Sequence, residues 1–125
     1  MKLQPDQTEG VNAVAAFSGT ESLIQGQLHR GSLIVPWRGE VQAWHCRNVS
    51  ELRSEDMETL AALAPELVIL GTGAKLKFPP AALLQPLMSR RIGFETMDSA
   101  AACRTFNVLV GEARSVVLAL MVEAD

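Results

Sequence analysis

The chain has 125 residues, of which 48% are hydrophobic and 20% are charged, and its formal net charge is −3. This composition excludes wholesale disorder, and the length predicts one globular domain, residues 1–125, that buries most of the surface its unfolded form would expose. The acidic balance excludes a global field that would attract nucleic acid.

The first part of the chain is predicted to form β-hairpins behind a loose lead-in. Residues 1–12 are polar and contain Pro5 and Gly10, so we expect them to be loosely ordered. Short apolar segments follow, separated by glycine-containing turns, which is typical of antiparallel hairpins. The segments are Val14–Phe17, Leu23–Leu28, Ser32–Val35 and Val41–Trp44. Trp37 and Trp44 lie in this region, either exposed for contact with a partner or covering the sheet as a lid.

A helix and then a buried strand are predicted next. Ser54 is the expected N-cap of the helix, and the acidic residues of the first turn suit the helix dipole. Pro65 ends this helix. The apolar run Leu67–Leu70 indicates a strand covered on both faces, and it leads into Gly71-Thr72-Gly73.

The second helix is predicted to begin late. Pro79-Pro80 would open it, but Pro86 lacks an amide donor and clashes with the preceding turn, so we expect a kink or a late start. Its core-facing residues would be Leu83, Leu84, Leu87 and Met88. Ile92–Thr96 is then a short strand.

The last helix and strand have the clearest pattern. Asp98 or Ser99 is the natural N-cap, and Gly111 is expected to end the helix with left-handed backbone. Apolar residues recur on one stripe at helical spacing. They are Ala102, Cys103, Phe106, Leu109 and Val110. Val116–Val122 reads as a buried strand, and the α-β-α-β-α-β order from residue 54 predicts a largely parallel sheet covered by helices.

The Gly71-Thr72-Gly73 stretch has two interpretations. Close backbone amides after a buried strand can cradle an anion, and Lys75 and Lys77 follow closely. The Walker and dinucleotide patterns are both absent, so a tight turn with solvated lysines is the preferred interpretation. Such a turn nevertheless lies where ligands bind in open α/β sheets, at the carboxyl ends of the strands.

Cys103 is either a nucleophile or a small buried side chain, and its place on the apolar stripe favours the core. A nucleophile needs a nearby base, yet His29 and His45 both lie in the hairpin region. The cysteines and histidines lack the spacing of a zinc site, so we expect no metal and no cofactor. Two free thiols, no secretory signal and no apolar run near the ~20 residues that span a bilayer together predict a cytoplasmic location.

Polar residues flank the last helix and its exit turn. They are Asp98, Arg104, Asn107, Glu112 and Arg114. Asn107 and Arg114 would close the turn by bonding to backbone carbonyls, or Arg104 or Arg114 would bind a carboxylate in a cleft. An arginine near a helix C-terminus is already explained by the helix dipole, so the structural role is preferred.

Three stretches resemble the Mth-domain family of unknown function: Gly31–Val35, Leu67–Gly73 and Glu95–Leu109. In element order the resemblance runs from about Phe17 to Leu120. It implies an α/β fold of three layers, with helices packed on a mixed central β-sheet and N-terminal strands that add a hairpin layer. The family includes a mitochondrial assembly factor of respiratory complex I, which implies a protein-binding role, and it supplies no catalytic residues.

Two functions follow from this reading. The preferred one is a non-enzymatic protein-interaction or assembly factor, whose partner would be a respiratory-complex subunit. The alternative is a binder, or weak enzyme, of an anionic small molecule held between Gly71–Lys75 and the N-terminus of the Asp98 helix. The candidate ligand or partner residues are Gly71, Thr72, Gly73, Lys75, Asp98, Cys103, Arg104, Asn107 and Arg114.

Overall fold

A computed structural model describes residues 10–123 and places them in two β-sheets and three α-helices. The strands are β1 (Val14–Phe17), β2 (Glu21–Ile24), β3 (Gln27–Arg30), β4 (Leu33–Pro36), β5 (Gln42–Ala43), β6 (Leu67–Thr72), β7 (Gly93–Met97) and β8 (Val116–Met121). The helices are α1 (Ser54–Ala62), α2 (Gln85–Met88) and α3 (Ser99–Gly111), with 3-10 turns at Val49–Glu51 and Ala81–Leu84.

The main sheet is mixed and has five strands in the order β5-β4-β8-β6-β7. Its central strand is β8, which is parallel to β6 and antiparallel to β4. Strand β6 is also parallel to β7, and β4 is antiparallel to β5. Every residue of β8 is buried, as expected for a strand with both faces covered. The predicted alternation of helices and strands and the mixed central sheet are both confirmed.

Two hydrophobic cores lie on opposite faces of the main sheet. On one face Met57 and Leu60 of α1 and Leu87 of α2 pack against β6 and β8. On the other face Phe106 of α3 packs against the same two strands, and β1 and β2 cover the rest of that face with residues such as Ile24. The fold therefore has three layers: α1 and α2, then the main sheet, then α3 beside a small sheet of β1, β2 and β3.

The expected N-terminal hairpin layer is confirmed, and it comprises β1, β2 and β3 only. The segment Leu23–Leu28 is divided between β2 and β3 by a turn at Gln25 and Gly26, both with positive φ. Of the other two predicted hairpin segments, Ser32–Val35 contributes β4 and Val41–Trp44 contributes β5, and these strands pair in the main sheet. All four residues of β4 are buried, so this strand needs cover on both faces, which only the main sheet provides.

The lead-in is more firmly held than predicted where the structure describes it. The side-chain amide of Asn12, a buried residue, donates to the carbonyls of Pro36 at 3.0 Å and Gly39 at 2.8 Å. Val11 forms a bridge with Arg38. The prediction of loose order is therefore wrong for residues 11 and 12, which are bonded to the turn after β4. Residues 1–9 lie outside the described part of the chain.

The end of α3 differs from the prediction at Gly111, which is the last helical residue and does not have positive φ. The left-handed residue is Ala113, with φ of 65°. The Arg114 amide donates to the carbonyl of Leu109 and the Ala113 amide to that of Val110, both at 3.1 Å. This is the Schellman pattern, so the left-handed position falls two residues beyond the glycine.

Helix α2 begins late, as Pro86 predicts. A 3-10 turn occupies Ala81–Leu84, and Pro86 lies in the first turn of α2, where its missing amide costs no intrahelical hydrogen bond. Leu87 is buried, but Met88 is 63% exposed. The core position predicted for Met88 is wrong because four helical residues present only one side chain to the core.

No helix in residues 10–123 is long and apolar enough to cross a membrane.

Candidate functional site

The candidate site lies at the edge of the main sheet where β6, β7 and β8 end. The three strands are parallel to one another, so their carboxyl ends meet there, together with the start of α3. The structure therefore brings together the predicted residues of the glycine turn and Asp98.

Ser99 ties this edge together. Its hydroxyl accepts a hydrogen bond from the Gly73 amide at 2.8 Å and donates one to the Met121 carbonyl at 2.7 Å. The Ser99 amide donates to the Gly73 carbonyl at 2.8 Å. Asp98 is the N-cap, as predicted, and its carboxylate accepts from the Ala101 amide at 2.9 Å. The start of α3 is thereby fixed to the ends of β6 and β8.

The two glycines have different roles at this edge. A Cβ at Gly71 would lie only 3.0 Å from Ala102 and Ser99, so glycine allows α3 to pack closely on β6. Gly73 has φ of +92°, and a Cβ there would lie 2.7 Å from the Glu123 carboxylate. Glycine is therefore explained at both positions by packing and backbone conformation, without a ligand.

Thr72 closes the loop that follows β6. Its hydroxyl donates to the Lys75 carbonyl at 2.7 Å and accepts from the Lys77 amide at 3.1 Å. The Gly73 amide is already bonded to Ser99. The polar groups of this turn thus bind one another, and the arrangement favours the tight turn over the anion cradle.

A cleft of about 300 Å³ opens between this edge and the β1–β2 turn. Its lining residues are Phe17, Ser18, Gly19, Gly73, Ala74, Asp98, Ser99, Ala100, Met121 and Glu123. Two of them, Asp98 and Glu123, are acidic, and Glu123 pairs with Lys77 at 3.5 Å. The amides of Ser99 and Ala101 are also occupied by protein oxygens. The electrostatics of the cleft are therefore unfavourable for an anion.

The remaining predicted site residues lie away from this cleft. Asn107 clamps β1 to α3, because it accepts from the Val14 amide at 2.7 Å and donates to the Val14 carbonyl at 2.8 Å. Arg114 pairs with Glu66 at 3.0 Å at the opposite end of the sheet, where the Ser115 amide and then Arg114 lower the pKa of Glu66. Neither side chain bonds to the carbonyls of the exit turn; only the backbone amide of Arg114 does. Arg104 is exposed on α3.

Both thiols are buried. Cys103 lies in the core on the α3 side of the main sheet, and Cys46 lies in the other core with its sulfur 3.2 Å from the Asn48 carbonyl. Burial raises the pKa of each thiol to about 12. A protonated, buried thiol is a poor nucleophile, so the geometry favours the core interpretation of Cys103.

We expect neither Cys46 nor Cys103 to react with a thiol reagent at pH 8 in the native protein, and both to react in denaturant. The folded pKa of about 12 exceeds the ordinary value of 9.0, so the associated stability is complete below about pH 9 and is lost as the pH rises towards 12. Ellman's reagent measures the reactive thiols. One fast-reacting thiol in the native protein would restore the nucleophile interpretation.

Sequence reasoning missed a cluster around the buried carboxylate of Asp56. Its Oδ1 accepts from the Trp44 indole nitrogen at 3.2 Å and lies 2.7 Å from His45 Nε2, while Oδ2 accepts from the Arg53 amide at 2.8 Å. Asp56 therefore fixes the start of α1, and Arg53, not Ser54, is the N-cap residue. Trp44 is buried, so of its two interpretations the lid over the sheet fits and the exposed partner contact does not. Groups of acidic, histidine and cysteine residues able to hold a metal are absent from residues 10–123.

Sequence reasoning also missed an exposed apolar segment, residues 74–80, which links β6 to the 3-10 turn before α2. Phe78 is 73% exposed and Leu76 is 49% exposed. The segment forms one wall of an open groove of about 710 Å³. The groove is lined by Asn48, Val49, Ser50, Leu52, Lys77, Phe78, Pro80, Leu83 and Glu123. The hydrophobicity of this segment is visible in the sequence, but its exposure depends on the tertiary structure.

Comparison with known proteins identifies relatives across most of the chain. A family model described as "Protein of unknown function (DUF498/DUF598)" matches residues 14–121. An uncharacterized protein from Rhodobacter capsulatus is 32% identical over 106 residues, which cover 78% of this chain and 74% of that protein. The NADH dehydrogenase [ubiquinone] 1 alpha subcomplex assembly factor 3 of Danio rerio is 35% identical over 80 residues, or 62% of this chain and 46% of that protein.

A solved structure has the same fold. The solution structure of a Bordetella pertussis protein described as a Mth938-like domain aligns with a TM-score of 0.83 at 25% sequence identity, over 100% of this chain and 94% of that one. The chain spans about half the length of the assembly-factor relatives it matches.

Proposed function

The chain belongs to the DUF498/DUF598 family of proteins of unknown function, and we propose that it acts as a non-enzymatic accessory factor that binds a subunit of a respiratory complex. The observation that carries this proposal is the exposed apolar segment 74–80 beside an open groove. Large exposed apolar side chains that lie together are typical of protein-binding surfaces. We also propose that residues 1–125 act as one domain. A cytoplasmic location stays a prediction.

The chemistry of the carboxyl edge supports binding over catalysis. Ser99 already donates to and accepts from backbone groups, so its hydroxyl is committed to the fold. Cys103 is buried and protonated, and His45 contacts Asp56 on the other face of the main sheet. A nucleophile needs an adjacent base and access to substrate, a combination that residues 10–123 do not assemble.

The names of the relatives supply the class of partner. Four of the curated relatives are NADH dehydrogenase [ubiquinone] 1 alpha subcomplex assembly factor 3 from different vertebrates. An assembly factor must recognise a surface of a subunit, and other subunits cover that surface in the finished complex. Exposed Phe78 and Leu76 suit such a contact because a partner would bury apolar area that water now covers.

We expect the tagged full-length chain, purified from its own cells, to carry NADH dehydrogenase subunits reproducibly over a tag-only control. Deleting the gene should lower the amount of assembled enzyme on native gels, and re-expression should restore it. Wild-type levels of assembled enzyme in the deletion strain, together with no enriched subunit, would refute the proposal. Thermal shift with anionic metabolites tests the alternative, since a ligand at 100 times its Kd adds about 2.7 kcal/mol of stability.

A further inference from the structure

We draw no further inference here: the strongest candidate, the open groove between the exposed segment 74–80 and the 3-10 turn at Val49–Glu51, belongs to the surface already described, and nothing in the structure shows the chemistry of what covers it.

Discussion

Replacing Ser99 with alanine should lower the free energy of unfolding by about 2–4 kcal/mol, although the change removes a single oxygen atom. That oxygen accepts from the Gly73 amide and donates to the Met121 carbonyl, and both hydrogen bonds are buried. Unpaired buried polar groups cost about 1–3 kcal/mol each. The alanine variant would therefore loosen α3 from the ends of β6 and β8 before it affected either hydrophobic core.

Urea unfolding and amide exchange together test this expectation. The unfolding midpoint should fall while the m-value is unchanged, and the Gly73 amide should lose protection from exchange. Ser89→Ala is the matched control, because that hydroxyl donates to the Pro86 carbonyl at 3.2 Å in an exposed position. Its effect should stay within about 0.5 kcal/mol. Equal effects of the two substitutions would show that the carboxyl edge does not depend on Ser99.

The sequence predicts the elements whose apolar residues follow a simple pattern, either a helical stripe or a continuous run. The apolar stripe of α3 indicates a helix with one buried face, and the continuous apolar run of β8 indicates a strand buried on both faces. Both elements form as expected. The Asp98 cap is equally local, since its carboxylate bonds to an amide three residues away. Local chemistry of this kind can be read without knowing the partners of the element.

Features that depend on distant segments could not be read in the same way. Whether β4 joins the small sheet or the main sheet depends on its pairing with β8, more than 80 residues later. Asn107 resembles a residue that closes a turn, yet it bonds to Val14, 93 residues earlier. An asparagine side chain offers an NH2 group as donor and a carbonyl oxygen as acceptor to any backbone nearby, so its partner is decided by the fold.

The candidate site also combines features that the sequence predicts with features that depend on contacts between distant segments. The glycine turn and the start of α3 were predicted to meet, because the carboxyl ends of parallel strands share one edge of a sheet. The acidic lining of their cleft was not predicted, since Glu123 follows β8 and reaches the cleft only through the pairing of β8 with β6. Phe78 was overlooked because an apolar residue in an irregular segment is equally compatible with burial and with exposure. Only the tertiary structure separates a buried aromatic from one available to a partner.

The cluster around Asp56 joins two regions that the sequence keeps apart. Trp44 lies between β5 and the 3-10 turn at Val49–Glu51, and its indole donates to a carboxylate in the first turn of α1. The same carboxylate accepts from the Arg53 amide. One acidic side chain thus caps α1 and holds the Trp44 lid on the core beneath it.

We expect Asp56→Ala to lower the free energy of unfolding by about 2–4 kcal/mol, because the Trp44 indole and the Arg53 amide both lose their acceptor. Urea unfolding followed by tryptophan fluorescence measures the loss, and an indole that gains access to water should shift its emission to longer wavelength in the native variant. Glu58→Ala is the control, since this exposed residue of α1 pairs with Arg90 at 3.2 Å in solvent and should contribute no more than about 1 kcal/mol. A native emission spectrum identical to the wild type, with a loss no larger than that of the control, would mean that packing alone holds Trp44. The cap and the lid would then be independent, and the carboxylate would not link α1 to Trp44.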